Sequence, residues 1–169
     1  MKKTAYLLIA LIFVSSMTIS LSTDAIAQQE PTNNFNTINY PSATNTFALG
    51  INTAGQIVGY YYGNQENNQE NYHGFLLSSD NYTSINYPSA SSTTALGINN
   101  AGQIVGYYYD NSGNLHGFLL SAGNYTSINY PGENSTSAFG INNAGQIVGN
   151  YIDSVGHFHG FLLSAGNYT

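Results

Sequence analysis

Histidine is the residue type in this chain best suited to metal or acid–base chemistry, and its spacing favours a structural role. His73, His116 and His159 each begin the segment HGFLL, at intervals of 43 residues. Metal ligands must converge on one point, whereas a histidine that recurs once per repeat is distributed around the molecule. We therefore expect these three to be structural, and we predict no metal site and no cofactor. His157, two residues before His159, gives only a weak indication of a metal site.

Nucleophiles and carboxylates give little support for catalysis. The chain has no cysteine, its only basic residues are Lys2 and Lys3, and it contains no Gly-x-Ser-x-Gly segment. Glu66, Glu70 and Glu133 occur in one copy each, so solvated loop charges explain them better than a glycosidase-like pair. The segment DNSGN resembles an oxygen-rich calcium loop, but it lacks the run of carboxylates that such loops use, and a hairpin turn explains it better. We predict that the protein is not an enzyme.

A repeat of about 43 residues organises the elements that would position these side chains. The segment INYP occurs three times, and its tyrosines, Tyr40, Tyr87 and Tyr130, are separated by 47 and 43 residues. Each copy holds four apolar runs separated by Asn, Gly and Ser, which are typical of tight hairpins. No apolar period of 3.6 residues occurs after the first 27 residues, so the pattern does not predict helices. The glycines that recur in the first run, which we interpret as structural, are Gly50, Gly97 and Gly140.

Alternation within the runs predicts the architecture. In the second run, 103–109, successive side chains face opposite sides and both sides are apolar, so this strand needs cover on both faces. The fourth run, 125–131, alternates apolar and polar residues, which is typical of a half-exposed outer strand. We therefore predict an all-β fold of tandem four-stranded antiparallel sheets, a partial β-propeller with three blades. A β-trefoil or a β-prism, each of which closes with three copies, is the alternative.

The first copy is preceded by an extra INYP segment. Residues 35–41, FNTINYP, match the fourth runs at 82–88 and 125–131, so we predict an N-terminal strand there that could complete the last sheet. Propellers typically have four to eight blades, and three would leave a gap. We therefore predict either a homodimer whose six blades complete a ring or a truncated chain, because open sheet edges with little charge favour association.

The N-terminus has the layout of a secretory signal peptide. Lys2 and Lys3 precede an apolar run, and the small-residue segment Ala25-Ile26-Ala27 follows it. We predict a signal peptide at 1–27 with cleavage after Ala27, a disordered lead at 28–34, and a secreted protein. The remainder, 35–169, is predicted to be a single β-repeat domain with repeats at about 42–88, 89–131 and 132–169.

The repeated motif resembles a known family. The pattern G-I-N-x-A-G-Q-I-V-G-x-Y, followed by H-G-F-L and T-S-I-N-Y-P, resembles the probable extracellular repeat of the HAF family and covers essentially the whole chain after residue 34. That family is named for His-Ala-Phe, whereas glycine stands at Gly74, Gly117 and Gly160 here. The resemblance implies export and β repeats, and it implies no defined activity.

Charge and composition limit the partners. After residue 27 the chain has no Lys or Arg and seven acidic residues, so we exclude nucleic acid and anionic membranes as partners. We predict a non-catalytic interaction scaffold at the cell surface or in the matrix, acting through protein contacts. The alternative is a carbohydrate-binding module, with a glycan as partner. Its candidate stacking residues, for which packing between blades is the competing interpretation, are Tyr60, Tyr62, Tyr107 and Tyr109.

Differences between the copies are concentrated in two loops. These are the segment before the first run and the segment between the second and third runs, which an antiparallel sheet places at the same end. We predict any ligand-binding face there, with unconstrained drift as the alternative. The candidate ligand-binding residues are Asn64, Glu66, Glu70, Asp110, Asn111, Asn114, Glu133, Asp153 and His157.

Overall fold

The computed structural model describes residues 35–63 and 71–169, so the predicted signal peptide and the lead at 28–34 lie outside the described residues. Residues Asn36–Thr169 form one compact unit. Within the described ranges all regular structure is β-strand, arranged in three separate four-stranded antiparallel sheets, so the predicted all-β repeat fold is confirmed. The same part of the chain contains no apolar helix of the length that crossing a bilayer requires.

The twelve strands of the described residues follow one another in chain order within each sheet. Blade 1 has the order β1-β2-β3-β4, blade 2 has β5-β6-β7-β8, and blade 3 has β9-β10-β11-β12. The strands are β1 Asn45–Ile51, β2 Ile57–Tyr62, β3 His73–Ser78, β4 Asn81–Ile85, β5 Ser92–Ile98, β6 Ile104–Tyr109, β7 Leu115–Ser121, β8 Asn124–Ile128, β9 Ser135–Ile141, β10 Ile147–Ile152, β11 Phe158–Ser164 and β12 Asn167–Tyr168.

The turn between the first two strands of each blade is built by an asparagine and a glycine. In blade 2, Asn99 Oδ1 accepts hydrogen bonds from the backbone N–H groups of Ala101 and Gln103, at 3.1 and 3.0 Å. Gly102 has a φ of 74°, a conformation that glycine adopts without steric cost. The segment Asn-x-Ala-Gly-Gln therefore encodes the tight turn that joins these strands.

Two faces of each blade carry different residues, as the alternation predicts. On blade 2 the leading face, which packs on blade 1, carries Ala95, Ile98, Ile104 and Phe118, and the trailing face, which packs on blade 3, carries Val105, Leu119 and Ile128. Val105 and Phe118 are both fully buried. The middle blade is therefore covered on both faces, and the hydrophobic core of the protein lies between blades.

Buried asparagines join the turn between the first two strands of one blade to the same turn of the next blade. Asn52 Nδ2 donates to the backbone carbonyl of Asn99 at 3.1 Å, and Asn99 Nδ2 donates to the carbonyl of Asn142 at 3.1 Å. Asn99 is only 3% exposed. Because a buried amide that finds its partners contributes to stability and an unpaired one costs free energy, this ladder favours one spacing between blades.

The prediction of a strand at 35–41 is wrong. Residues 35–40 lie in no strand, and the twelve strands of the described residues divide four, four and four among the three sheets. The counterparts β4 and β8 pair with the third strand of their own copy. The outer edge of blade 3 pairs with β12 instead, so within one chain the N-terminal segment does not complete the last sheet.

The segment before β1 keeps the contacts of its counterparts without forming a strand. The ring of Tyr40 stacks on Tyr61 with centroids 3.6 Å apart, as Tyr87 stacks on Tyr108 at the same distance. The Tyr40 N–H donates to Thr46 Oγ1 at 2.9 Å. This tyrosine therefore anchors the entry to blade 1 as its counterparts anchor the entries to the next blades.

The three sheets do not close on themselves. Large apolar side chains remain exposed at both ends of the array, including Ile51 on blade 1 and Val148 on blade 3. A β-trefoil or β-prism would close with three copies, so the open array fits the partial propeller and not those alternatives.

Candidate functional site

The loops that differ between copies lie at one end of the blades. In blade 2 the register pairs Ser92, at the start of β5, with Tyr109, at the end of β6. The loop that enters β5 and the loop that leaves β6 are therefore adjacent. The repeated turns of the Asn-x-Ala-Gly type lie at the opposite end, so most of the sequence variation between copies lies at one end of the blades, here called the loop face.

An open cleft of about 540 Å³ lies on the loop face where blade 1 meets blade 2. Its walls combine two tyrosines with neutral polar residues and one carboxylate. Tyr109 is 36% exposed, and Ser91 Oγ donates to the carbonyl oxygens of Tyr109 and Asp110 at 3.2 and 3.3 Å. The cleft is lined by Asn71, Tyr72, Ser91, Ser92, Tyr109, Asp110, Asn111 and Gly113. Such a surface presents aromatic rings and hydrogen-bonding groups together.

Asp110 organises the loop that forms one wall of this cleft. Its Oδ1 accepts hydrogen bonds from the backbone N–H groups of Ser112 and Asn114, both at 2.8 Å. Its Oδ2 accepts from Asn114 Nδ2 at 2.9 Å and lies 3.3 Å from His116 Nε2. Gly113 has a φ of 83°, which closes the turn. The side chain therefore fixes a tight loop, as the hairpin-turn interpretation expects.

These hydrogen bonds change the acidity of Asp110. The Asn114 side chain and backbone N–H, followed by His116 and the Ser112 N–H, stabilise the carboxylate and lower the pKa of Asp110 from 3.8 to about 2. The group is therefore ionised throughout the physiological range. It can accept hydrogen bonds or attract a cation, but it is a poor proton donor at neutral pH.

Blade 3 repeats the same arrangement with Asp153. Asp153 Oδ1 accepts from the N–H groups of Val155 and His157, at 3.0 and 2.8 Å, and His159 Nε2 lies 2.9 Å from Oδ2. The hydrogen bond from His159, followed by that from the His157 N–H, lowers the pKa of Asp153. His157 Nδ1 lies 3.5 Å from the same carboxylate. The pattern Asp-x-x-Gly-x-x-His therefore encodes one loop type in two copies.

The recurring histidines are held by neighbours in their own blade. His73 Nδ1 lies 2.8 Å from Asn86 Oδ1, and His116 Nδ1 lies 2.8 Å from Asn129 Oδ1. The His116 ring stacks on Tyr108 with centroids 5.1 Å apart. Within residues 35–63 and 71–169, no group of three or more histidine or acidic side chains is placed to hold a metal ion.

The structure brings together only some of the predicted ligand-binding residues. Asp110 and Asn111 line the cleft, whereas Asn114 is committed to the Asp110 loop. Asp153 and His157 belong to the loop of blade 3, and Glu133 lies in the turn that follows Tyr130. The predicted residues that fall outside the described residues are Asn64, Glu66 and Glu70.

The four candidate stacking tyrosines have different surroundings. Tyr60 stacks on Phe47 with centroids 4.7 Å apart, and both Tyr60 and Tyr62 meet Tyr72 edge to face. These two belong to an aromatic cluster of blade 1. Tyr107 and Tyr109 contact each other edge to face, and of the four only Tyr109 lines the cleft.

Sequence reasoning missed five residues of the cleft. Tyr72 and Asn71 precede β3, Ser91 and Ser92 precede or begin β5, and Gly113 belongs to the Asp110 loop. Their loop positions next to strand ends were the available signal, but their meeting depends on how blade 2 packs on blade 1. Comparison with models of known protein families and with curated proteins finds no match.

Proposed function

We propose that the chain is an exported, non-catalytic interaction scaffold that binds its partner on the loop face, with the cleft between blades 1 and 2 as the contact site. The observation that carries the proposal is that residues from the loops that vary between copies, Asn71, Asp110 and Asn111, meet in one cleft. The opposite ends of the blades repeat nearly the same turns. Binding residues are disproportionately found on loops that a rigid framework positions.

The chemistry of the cleft favours binding over catalysis. Asp110 is held by four hydrogen-bonding groups and is ionised at neutral pH, so it serves as a fixed acceptor rather than a general acid. General acid–base catalysis works best with a pKa near the operating pH. The other polar groups that line the described part of the cleft are neutral serine, asparagine and tyrosine side chains.

Export is the part of this proposal that rests on the N-terminus. The positive pair Lys2 and Lys3, the apolar run after it and the Ala25-Ile26-Ala27 segment support it. The motif resemblance to the HAF family points the same way. N-terminal sequencing of the protein recovered outside the cell should begin at Gln28, and an intracellular protein that retains Met1 would contradict export.

A carbohydrate-binding module is the second candidate, and the composition of the cleft favours it. Tyr72 and Tyr109 supply aromatic surface beside Ser91, Ser92 and Asn111. Sugars present C–H faces that pack on aromatic rings and hydroxyl groups that pair with neutral polar side chains. On this candidate the partner at the cell surface is a glycan rather than a protein.

Binding of the labelled, purified protein to intact cells of the producing organism separates the two candidates. Cells are treated beforehand either with a protease, which removes surface proteins, or with periodate, which cleaves sugar diols. The scaffold proposal predicts that binding is lost after the protease and retained after periodate. Loss after periodate alone supports the carbohydrate candidate, and absence of binding to untreated cells contradicts both.

A matched pair of variants tests the site itself. Asn111 and Ser154 occupy equivalent positions, one residue after the loop aspartate, but only Asn111 lines the cleft. Asn111→Ala should weaken binding about fivefold, because one hydrogen bond contributes about 1 kcal/mol. Ser154→Ala should leave binding unchanged. Equal effects would show that the cleft is not the contact site.

A further inference from the structure

The interface between successive blades is made twice with equivalent residues. Each time, the trailing face of one blade supplies Val, Leu and Ile, and the leading face of the next supplies Ala and two Ile. Between blades 1 and 2 these are Val58, Leu76 and Ile85 with Ala95, Ile98 and Ile104. Between blades 2 and 3 they are Val105, Leu119 and Ile128 with Ala138, Ile141 and Ile147.

The two halves of a third such interface are left uncovered at the ends of the array. On the trailing face of blade 3, Val148 is 50% exposed, whereas Val58 and Val105 are fully buried. On the leading face of blade 1, Ile51 is 67% exposed, whereas its counterpart Ile98 is 8% exposed. An apolar cavity of about 250 Å³ marks that face, lined by Ile38, Ala48, Leu49, Gly50, Ile51 and Ile57.

Close backbone approach shows the same pattern. A Cβ built on Gly50 would lie 2.8 Å from the carbonyl oxygen of Leu96, and one on Gly97 would lie 3.1 Å from that of Phe139, each on the next blade. A Cβ on Gly140 would meet only Val148 of its own blade, at 3.4 Å. Blade 3 therefore keeps the glycine that close packing requires, although no described residue packs there.

The outer strand of blade 3 is paired over a shorter length than those of blades 1 and 2. In blade 1 the pairing of β4 with β3 extends to Ile85, which lies opposite Gly74. In blade 2 the pairing of β8 with β7 extends to Ile128, which lies opposite Gly117. β12 pairs only at Asn167 and Tyr168, and the backbone pairing ends at Thr169 with Leu162. Beyond that point the edge of β11 at 159–161 has no strand partner among the described residues.

The N-terminal segment carries the residues that this edge lacks. In an alignment with the fourth strands, Phe35 and Asn36 match Tyr168 and Thr169, the last paired residues of blade 3. Residues 37–40 match the part of β4 and β8, and the residues after them, that has no equivalent in β12. Ile38 then matches Ile85, and it already lines the apolar cavity on the leading face of blade 1. This segment thus lies where the outer strand of a preceding blade would lie.

Two polar groups of blade 3 have no partner, among the described residues, equivalent to those of their counterparts. Nδ1 of His73 and of His116 lies 2.8 Å from an asparagine, whereas His159 contacts Asp153 through Nε2. The matching asparagine is Asn39. The hydroxyls of Tyr61 and Tyr108 each pair with a serine of the fourth strand, and Thr37 supplies the matching hydroxyl for Tyr151.

We propose that two copies of this chain join head to tail, with the trailing face of blade 3 in one copy packed on the leading face of blade 1 in the other. Residues 37–40 of the second copy extend the outer edge of blade 3, and Asn39 of that copy pairs with His159. Two such contacts close a ring of six blades, a number typical of propellers. The exposed apolar faces lack Lys and Arg, so burial rather than charge pairing drives the contact.

Cysteine pairs test this contact, because the natural chain has no cysteine. The test pair is Asn39→Cys with His159→Cys, and the control pair is Asn86→Cys with His73→Cys, which are cross-strand neighbours within blade 1. Oxidised glutathione accepts the two electrons and two protons released when two thiols form a disulfide. The test pair should give a covalent species of two chains on a non-reducing gel, and the control pair a disulfide within one chain.

Three results would overturn the proposal. In the first, the test pair stays reduced while the control pair oxidises. In the second, the test pair forms a disulfide within a single chain. In the third, the test pair gives a ladder of species larger than two chains, which excludes a two-copy ring. Val148→Asp added to the test pair should lower the two-chain product at least tenfold, and Val155→Asp, on the exposed loop of blade 3, should leave it unchanged. An unaffected yield with Val148→Asp would show that this face is not in the contact.

Discussion

Replacing Asn99 by aspartate removes the hydrogen-bond donors of the ladder between blades while keeping its acceptor. Asn99 Oδ1 accepts from two turn N–H groups, and Nδ2 donates to Gln103 Oε1 at 2.7 Å and to the carbonyl of Asn142 at 3.1 Å. In Asn99→Asp the two acceptors face a carboxylate oxygen at a site that is 3% exposed. Rotation of the Gln103 amide can turn its NH2 group toward the carboxylate and remove one repulsive contact. The backbone carbonyl of Asn142 cannot rotate in this way, so its repulsion from the carboxylate remains.

The expected loss in the free energy of unfolding at pH 7 is about 3 kcal/mol, because an unpaired buried polar group costs about 1–3 kcal/mol and a buried charge costs more. Urea denaturation followed by tyrosine fluorescence measures it. Asn100→Asp is the control, because Asn100 is exposed and its Oδ1 accepts from the Thr53 N–H, which a carboxylate also does. The control should change stability by less than about 0.5 kcal/mol.

The loss should also depend on pH. Burial and the facing oxygens raise the folded pKa of the introduced carboxyl above its unfolded value of about 3.9, so the folded variant binds the proton more tightly. The deficit is therefore complete above the folded pKa and shrinks as the pH falls through it, because a protonated carboxyl can donate to the Asn142 carbonyl. Equal losses for Asn99→Asp and Asn100→Asp, or a loss that does not change with pH, would refute the role of the ladder.

Two further predictions concern the core and the loop face. Val105→Ala should lower the free energy of unfolding by about 2 kcal/mol, because it removes two buried methyl groups at about 0.8 kcal/mol each and leaves a cavity. Val155, which is exposed, provides the control Val155→Ala. If urea denaturation shows no larger loss for Val105→Ala than for Val155→Ala, the packing described between blades is contradicted. For Asp110, NMR titration should give a pKa of about 2. Because the pKa of Asp110 is lower in the folded protein than in the unfolded chain, where it is about 3.9, ionised Asp110 stabilises the fold fully above about pH 3.9. This contribution to the free energy of unfolding is lost as the pH falls through about 2. Asp110→Asn should remove that part of the acid dependence, and an unshifted pKa would contradict the loop geometry.

The strands and their order were predictable because each depends on local pattern. Alternation in 103–109 predicts a strand with two apolar faces, and Val105 and Phe118 are indeed buried on opposite faces. The Asn-x-Ala-Gly turns follow from glycine and asparagine chemistry, which acts within five residues. Local signals of this kind need no knowledge of how the blades pack.

The N-terminal segment shows where local pattern fails. Residues 35–41 have the composition of a fourth strand, but a strand needs a paired edge, and no described strand of the same chain pairs with them. The cleft was equally hidden, because Tyr72 of blade 1 and Asn111 of blade 2 meet only through the packing of two blades. The Asp110 loop, in contrast, could have been found from the recurrence of Asp-x-x-Gly-x-x-His.

The central claim is that two copies of the chain join through the exposed faces of blades 1 and 3, which match each other. Sedimentation velocity of the purified protein at micromolar concentration tests it most directly. The account predicts a single species with the mass of two chains, which Val148→Asp converts to the mass of one. A natural protein that sediments as a stable single chain would contradict it.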